Sequence, residues 1–404
     1  MMKTFAKNVI CAWLLPMVMA GVTSGALAET AVRPEVQKPL VAAQEALKNN
    51  QVEQALRLAA EAAAIPSMSA SEQQLVWRLQ AVAALRSQQW GLAIERLEGV
   101  LALPDVPTAD KLALMESLVN ASIQNKDPAR TVRVARQYLQ SGGTHPGVRM
   151  ALLQSLSQRG EHQALVQEMN AFLEQDAAQS RKTPEAQLRL LALAHQQLKD
   201  DAGYFAALKK LLALYPSKAY WADAIARLPN LPGFNPRYEL DCYRLFVETD
   251  NLEDAGEYVE MAGLAMKAGL PAEALRILNA GYDKGVLGQG SDAGTHARLR
   301  SEAQKKQKED DVLLPQLEQG AKDANAWAAV GETHASKQSW GAANAAFARA
   351  LAMGGVRREA ELRLHYGIGL FKVGQQSAAL AQWQAIQADP SAIELAALWR
   401  LHAR

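Results

Sequence analysis

One spacing pattern occurs twice in this chain, 250 residues apart. Trp327 is followed by Gly331, Ala343, Phe347 and Ala350 at intervals of 4, 16, 20 and 23, and Trp77 is followed by Ala81, Ala93, Leu97 and Val100 at the same intervals. A Trp-Gly pair falls at the same point of each copy, Trp90-Gly91 and Trp340-Gly341. A unit that recurs in this way is one that packs on copies of itself, so the repeat restricts the fold before composition is considered. Steps of three and four residues stay on one side of a helix. Phe347 and Ala350 therefore share a face of one helix, Trp327 opens another, and the small Gly331 and Ala343 stand where the two cross.

Position by position, the segment from Asn325 to Pro390 resembles the tetratricopeptide repeat (TPR), a helix-turn-helix unit of 34 residues. His334 departs from the pattern, standing where the family usually has a bulky aromatic. A following unit matches through Gly367, Leu370, Gly374, Ala379, Trp383 and Ile386, with Pro390 to end it, and an earlier one through Tyr258, Ala262, Ala265, Gly269, Ala274, Leu278 and Gly281. The resemblance implies an all-α, TPR-like helix-turn-helix superhelical solenoid with an extended concave face. Carried over residue by residue, the groove-lining positions of the Trp327 unit are Asn325, Ala328, Glu332, Ala335 and Ser336. Neighbouring units contribute Lys372, Met266, Lys267, Arg78 and Arg86. A protein or peptide partner in that groove is what the family implies. The Lys and Asn set with which some members clamp a C-terminal carboxylate is not assembled here.

Hydrophobic residues make up 49% of the 404, ample for burial, while aromatics are only 6% and alanine dominates, which favours helices crossing at short range. No run of four to eight residues alternates in the manner of a strand. The first residues read as an export signal: Lys3 and Lys7, an apolar stretch from Val9 to Val22 broken by Pro16, and Ala26-Leu27-Ala28 as a cleavage site before Glu29. The stretch is too short for a spanning helix, so the expected location is the periplasm, with cleavage after Ala28 and no membrane span in the mature chain. Cleavage removes two lysines and no acids, leaving 41 basic against 42 acidic residues. That balance argues against nucleic acid and against a polybasic membrane patch. The single mature cysteine, Cys242, forms no internal disulfide and reads as a small apolar core residue.

Helix pairs follow in order: Pro39 to Ile65, the Trp77 copy, Lys111 to Leu139, Val148 to Leu173 and Glu185 to Leu214. Residues 228–236, Leu-Pro-Asn-Leu-Pro-Gly-Phe-Asn-Pro, then exclude a continuous helix. The expected organisation is a signal peptide (1–28), an N-terminal helical-repeat arm (29–228), a Pro/Gly-rich junction (229–236) and a C-terminal TPR arm (237–404). Gly285 to Gly294 reads as a second loop, and the charged run Lys305 to Asp311 as a solvated helix end.

Catalytic motifs are not found. The histidines have no H-E-x-x-H spacing, there is no P-loop and no G-x-S-x-G elbow, and Gly288-Gln289-Gly290 follows a helix rather than the strand a dinucleotide fingerprint needs. No metal, cofactor or catalytic residue is expected. The leading reading is a non-enzymatic periplasmic scaffold. The chain resembles exported repeat proteins of Gram-negative bacteria, some of which accompany the TonB–ExbB–ExbD system and others polysaccharide export or envelope assembly. Residues 228–236, the Ala262 to Leu287 unit and the ending Leu398 to Arg404 carry that likeness. The alternative is an enzyme or glycan-binding subunit with a site at residues 229–243; a small-molecule or glycan binder in the groove is a third reading, which an exposed group of Tyr220, Trp221 and Tyr258 would favour.

Overall fold

The computed structural model describes residues 32–104 and 106–404, so the expected signal segment, 1–28, lies outside the described residues. Among the described residues the chain is all-α: twenty α-helices and two 3-10 turns, with no strand. They fall into two compact units that meet after Gln175. Residues 229–236 lie inside the second unit.

The first unit is a run of helix pairs: α1 (Pro34–Lys48) with α2 (Val52–Ala63), α3 (Ala70–Arg86) with α4 (Trp90–Leu101), and α5 (Thr108–Gln124) with α6 (Pro128–Gln140). α7 (Pro146–Gln158) and the greater part of α8 (His162–Ala178) follow. The starts are written in the sequence. Ser69 and Glu72 form a reciprocal capping box on α3, and Asp127 caps α6 through the backbone N–H of Arg130. The Arg33 side chain and backbone N–H both donate to Glu72, tying the start of α1 to α3. α1 begins five residues before Pro39, which lies inside it; Pro34 occupies the first turn, where a missing N–H costs nothing.

The second unit contains α9 (Glu185–Gln197), α10 (Asp201–Leu214), α11 (Lys218–Arg227), α12 (Glu239–Glu248), α13 (Ala255–Lys267) and α14 (Pro271–Asp283). It continues through α15 (Ala293–Gly320), α16 (Ala324–Ser336), α17 (Trp340–Met353), α18 (Glu359–Lys372), α19 (Gln376–Gln384) and α20 (Pro390–His402). α15, at 28 residues, is far longer than its neighbours. The run Lys305 to Asp311 lies in its middle, not at a helix end as expected. His296, Ala303 and Leu314 keep a buried stripe on either side of the run, Lys306 pairs with Glu302 one turn back, and Asp311 pairs with Lys337. α20 packs on α18 and α19 and also on α10 and α12. The Pro/Gly-rich stretch meets it there: the Asn235 N–H donates to Ser391 Oγ at 2.8 Å, and the Tyr238 hydroxyl to Asp389 Oδ2 at 2.8 Å.

The interval of sixteen residues in the repeat is a contact between the two helices of a pair. A Cβ added to Gly331 in α16 would lie 2.4 Å from the buried ring of Phe347 in α17, and one added to Gly367 in α18 would lie 2.2 Å from Trp383 in α19. Ala81 with Leu97 and Ala262 with Leu278 keep the same spacing, and all four side chains are buried. The two repeat tryptophans are each covered from the second helix at an interval of 22. Gly99 leaves room for the Trp77 ring, which an added Cβ would approach to 2.8 Å, and the Arg349 guanidinium lies over the Trp327 ring at 4.0 Å.

Replacing Gly331 by Ala forces a methyl into the Phe347 ring, and the expected loss is about 1–3 kcal/mol. Gly341→Ala in α17 meets nothing within 4 Å and is expected to be neutral or stabilising by up to ~1 kcal/mol. Urea unfolding of the two variants checks the difference; equal midpoints would remove the close-approach argument.

Candidate functional site

Four helices of the second unit bury a lattice of opposite charges. The 3-10 turn Pro236–Tyr238 starts α12, and the three-residue step from Asp241 to Arg244 keeps both on one face of it. Arg244 grips Glu273 of α14 with two bonds, Nε to Oε1 at 3.0 Å and Nη2 to Oε2 at 2.7 Å, and donates from Nη1 to Asp241 Oδ1 at 2.8 Å. His365 of α18 donates from Nε2 to the same Asp241 oxygen at 2.8 Å and from Nδ1 to Glu332 Oε1 of α16 at 2.6 Å. Arg244 Nη1 and His365 Nε2 lie 3.1 Å apart because both aim at Asp241, not because they bond to each other. Asp241, Glu273 and His365 are each under a tenth exposed.

Burial acts against every charge here, and the partners override it. Burial would lower the His365 imidazole, but the carboxylates of Glu332 and Asp241 hold it well above the usual histidine range. Burial would also lower Arg244, but Glu273 and Asp241 hold it well above its usual value. Asp241, which burial would raise, is brought down to about 2 by His365 and Arg244. Glu273 is likewise lowered, burial being overcome by Arg244. His365 is therefore an imidazolium with both nitrogens donating. It has no lone pair to take a proton, which separates this cluster from a catalytic histidine pair.

The lattice forms one wall of a cavity of about 100 Å³. Val247, Met261, Ala335, Trp340, Ile368 and Trp399 supply apolar walls, and Arg276, Gln338, Glu332 and Lys372 the polar border. Lys372 donates to Glu248, whose carboxyl is brought down to about 2, chiefly by hydrogen bonding from His402 and then from Lys372. Among the described residues no group of His, Cys, Asp and Glu is arranged to hold a metal ion, and no helix is long and apolar enough to cross a membrane.

Of the groove residues named from sequence, Glu332 and Lys372 both line this cavity, together with Ala335. Ser336 is buried and donates to the Thr333 carbonyl; Asn325 accepts from the Arg357 backbone N–H. Met266 packs against the core around Tyr258 and Leu278, and Lys267 is exposed. Arg78 and Arg86 belong to the first unit, where Arg78 pairs with Asp110 at 2.6 Å and Arg86 donates to the Leu47 carbonyl. Asp241, Arg244, Glu273 and His365 were not anticipated. The available signal was a charged residue on the buried phase of an apolar helix, as with Arg244 beside Leu240 and Leu245. What each one faces is set by other helices: Glu273 lies 29 residues from Arg244, and His365 lies 124 from Asp241. Trp221 and Tyr258 are buried and Tyr220 donates to Glu185, so these three do not form an exposed aromatic face.

No family model matches the chain, and no curated protein matches it. Among solved structures it is similar to the TPR2AB domain of yeast Sti1 in its pHSP90 complex, at 16% identity over 67% of this chain and 98% of that one, with a TM-score of 0.34. It is similar to a Naa15/Naa10 structure bound to HypK-THB at 13% identity over 87% and 57%, with a TM-score of 0.28. Yeast Tom70 gives 10% identity over 91% and 95%, with a TM-score of 0.27. At these scores the likenesses carry no argument about this chain's site, which is read from its own geometry.

Two expectations follow. Arg244→Met leaves Glu273 buried without its two-pronged cation and Asp241 with His365 alone, at an expected cost of about 3–5 kcal/mol. The lattice also ties stability to pH. The part contributed by Asp241 is present above its unfolded value near 4 and is lost as pH falls toward 2. The part contributed by His365 is complete below its unfolded value near 6.5 and declines as pH rises through its raised folded value. Urea midpoints of wild type and His365→Gln from pH 3 to 10 should differ most between about pH 4 and 6.5 and converge in alkali. A gap that widens above neutrality would contradict the assignment.

Proposed function

We propose that the protein is a non-enzymatic, exported TPR-type scaffold whose second unit holds a protein partner on the face bearing the cavity. The observation that carries this reading is the cavity's construction. Its floor is a saturated ion lattice joining α12, α14, α16 and α18, and its border presents the exposed side chains of Gln338 and Lys372. A floor with its hydrogen bonds already satisfied is rigid, and a rigid surface with an adjustable polar border suits recognition. The doubly engaged His365 has no free lone pair for acid–base work, which favours binding over reaction.

Export rests on Lys3, Lys7, the apolar stretch and Ala26-Leu27-Ala28. A periplasmic scaffold of this kind would be accessory to an envelope system, of the TonB–ExbB–ExbD type or one serving polysaccharide export or assembly. The alternative, an enzyme or glycan subunit at residues 229–243, is less favoured. Asn235 and Tyr238 are engaged with Ser391 and Asp389, and the neighbouring aromatics are internal.

Two measurements test the reading. The mature chain is expected to begin at Glu29, by N-terminal sequencing of protein from a periplasmic fraction; retention of Met1 in a cytoplasmic fraction would defeat the export reading. Lys372→Ala with Gln338→Ala alters the polar border and is expected to weaken capture of a specific envelope protein by about tenfold or more, with the helical circular dichroism of the wild type retained. Capture that is undiminished moves the binding face elsewhere.

A further inference from the structure

The cavity in the second unit has a chemical bias that the scaffold reading does not use. Val247, Met261, Ala335, Ile368 and Trp399 give it largely apolar walls, and Val247 is 37% exposed. Its volume is about 100 Å³. An apolar cavity of about 150 Å³ takes benzene, so this one suits a branched aliphatic group.

Its polar members divide into two kinds. Arg244, Glu273 and His365 are satisfied within the lattice. Arg276 and Trp399 are not: Arg276 Nε and Trp399 Nε1 are buried donors with no acceptor among the described residues. Trp399 is only 1% exposed, and the nearest carboxylate to Arg276, Glu273, lies 3.7 Å from Nη2, too far for a hydrogen bond. A buried donor without an acceptor is costly, so an arriving acceptor gains more here than at the surface. The surrounding charge is already balanced. Arg244, Arg276, His365 and Lys372 stand against Asp241, Glu248, Glu273 and Glu332. A ligand bringing a full charge of either sign would leave it unmatched in a desolvated site.

We infer that the cavity seats one uncharged, branched aliphatic residue of the partner, its side chain between Ile368 and Ala335 and its main-chain carbonyl accepting from Trp399 or Arg276. This rests on the scaffold reading for the partner's being a protein, and adds which residue type the site selects. Leucine, isoleucine and valine fit; aspartate, glutamate and lysine do not.

The probe is N-acetyl-L-leucine amide, titrated against the full mature chain with Ile, Met and Ala methyl groups followed by NMR. N-acetylglycine amide and N-acetyl-L-glutamate amide serve as comparisons. The leucine compound is expected to give saturable shifts of the Ile368, Met261 and Ala335 methyls at millimolar concentration, with binding about tenfold tighter than for the glycine or glutamate compound. Ala335→Leu fills the cavity and should abolish the shifts. Trp399→Phe removes the donor together with the five-membered part of the indole, and should weaken binding several-fold. Leucine binding is read by NMR with no partner present, so loss of partner capture and loss of leucine binding are read separately. Equal response to glycine, preference for glutamate, undiminished shifts in Ala335→Leu, or no saturable shift with the leucine compound would each overturn the inference. If Trp399→Phe binds as wild type, Trp399 is overturned as the donor to the carbonyl.

Discussion

A large side chain seated on a missing one is the contact from which this protein is built. Gly331 lies against Phe347 and Gly367 against Trp383, at distances that leave no room for a methyl group. Tyr258 meets Gly281 in the same manner, with an added Cβ coming to 2.9 Å from its ring. Interiors pack at crystal-like density, so the missing Cβ sets how near the helices approach and the ring fills the space gained. Where alanine replaces glycine, as at Ala81 and Ala262, the opposing residue is a leucine of smaller reach. Spacing and volume compensate each other across the pairs, which lets a chain with few aromatics fill its core.

The ion lattice depends on that packing. Bringing Asp241, Arg244, Glu273 and His365 out of water costs several kcal/mol per ion, recovered only with near-ideal geometry. Helices held in fixed approach supply it. Arg244 meets Glu273 through both carboxylate oxygens, and Asp241 receives two cations on one oxygen. The same rigidity holds apolar walls apart, so that a cavity persists beside the lattice instead of collapsing. Stability, charge burial and the recognition surface thus rest on one set of helix contacts.

The helix pairs were legible because their signals are local. Asn50, Gln88, Lys126, Gly160, Gly269 and Gln338 take positive φ at the turns, and Ser69, Asp127 and Asp254 cap the following helices, as short-range chemistry dictates. The repeat intervals carried the pairing as well, since a residue sixteen places on is within one hairpin. The site was less legible. Glu332 and Lys372 could be reached through the repeat pattern, because helix phase alone turns them toward the cavity. Asp241 and His365 are 124 positions apart, and nothing near either one names the other. The middle of α15 was misread for a related reason: a charged run resembles a helix end until the partners of Lys306 and Asp311 are known. The 3-10 turns at 228–238 read correctly as a break in the helix, but their bonds to α20 join segments more than 150 residues apart.

Proton NMR tests the central contact directly. A glycine Hα under an aromatic ring is displaced far upfield, and its neighbours in space appear as nuclear Overhauser contacts. Gly331 and Gly367 should show this displacement with contacts to the ring protons of Phe347 and Trp383, while Gly341 resonates at an ordinary position. Gly331 and Gly367 signals at ordinary positions without ring contacts would mean that these helices do not pair as described, and the lattice and cavity would lose their foundation.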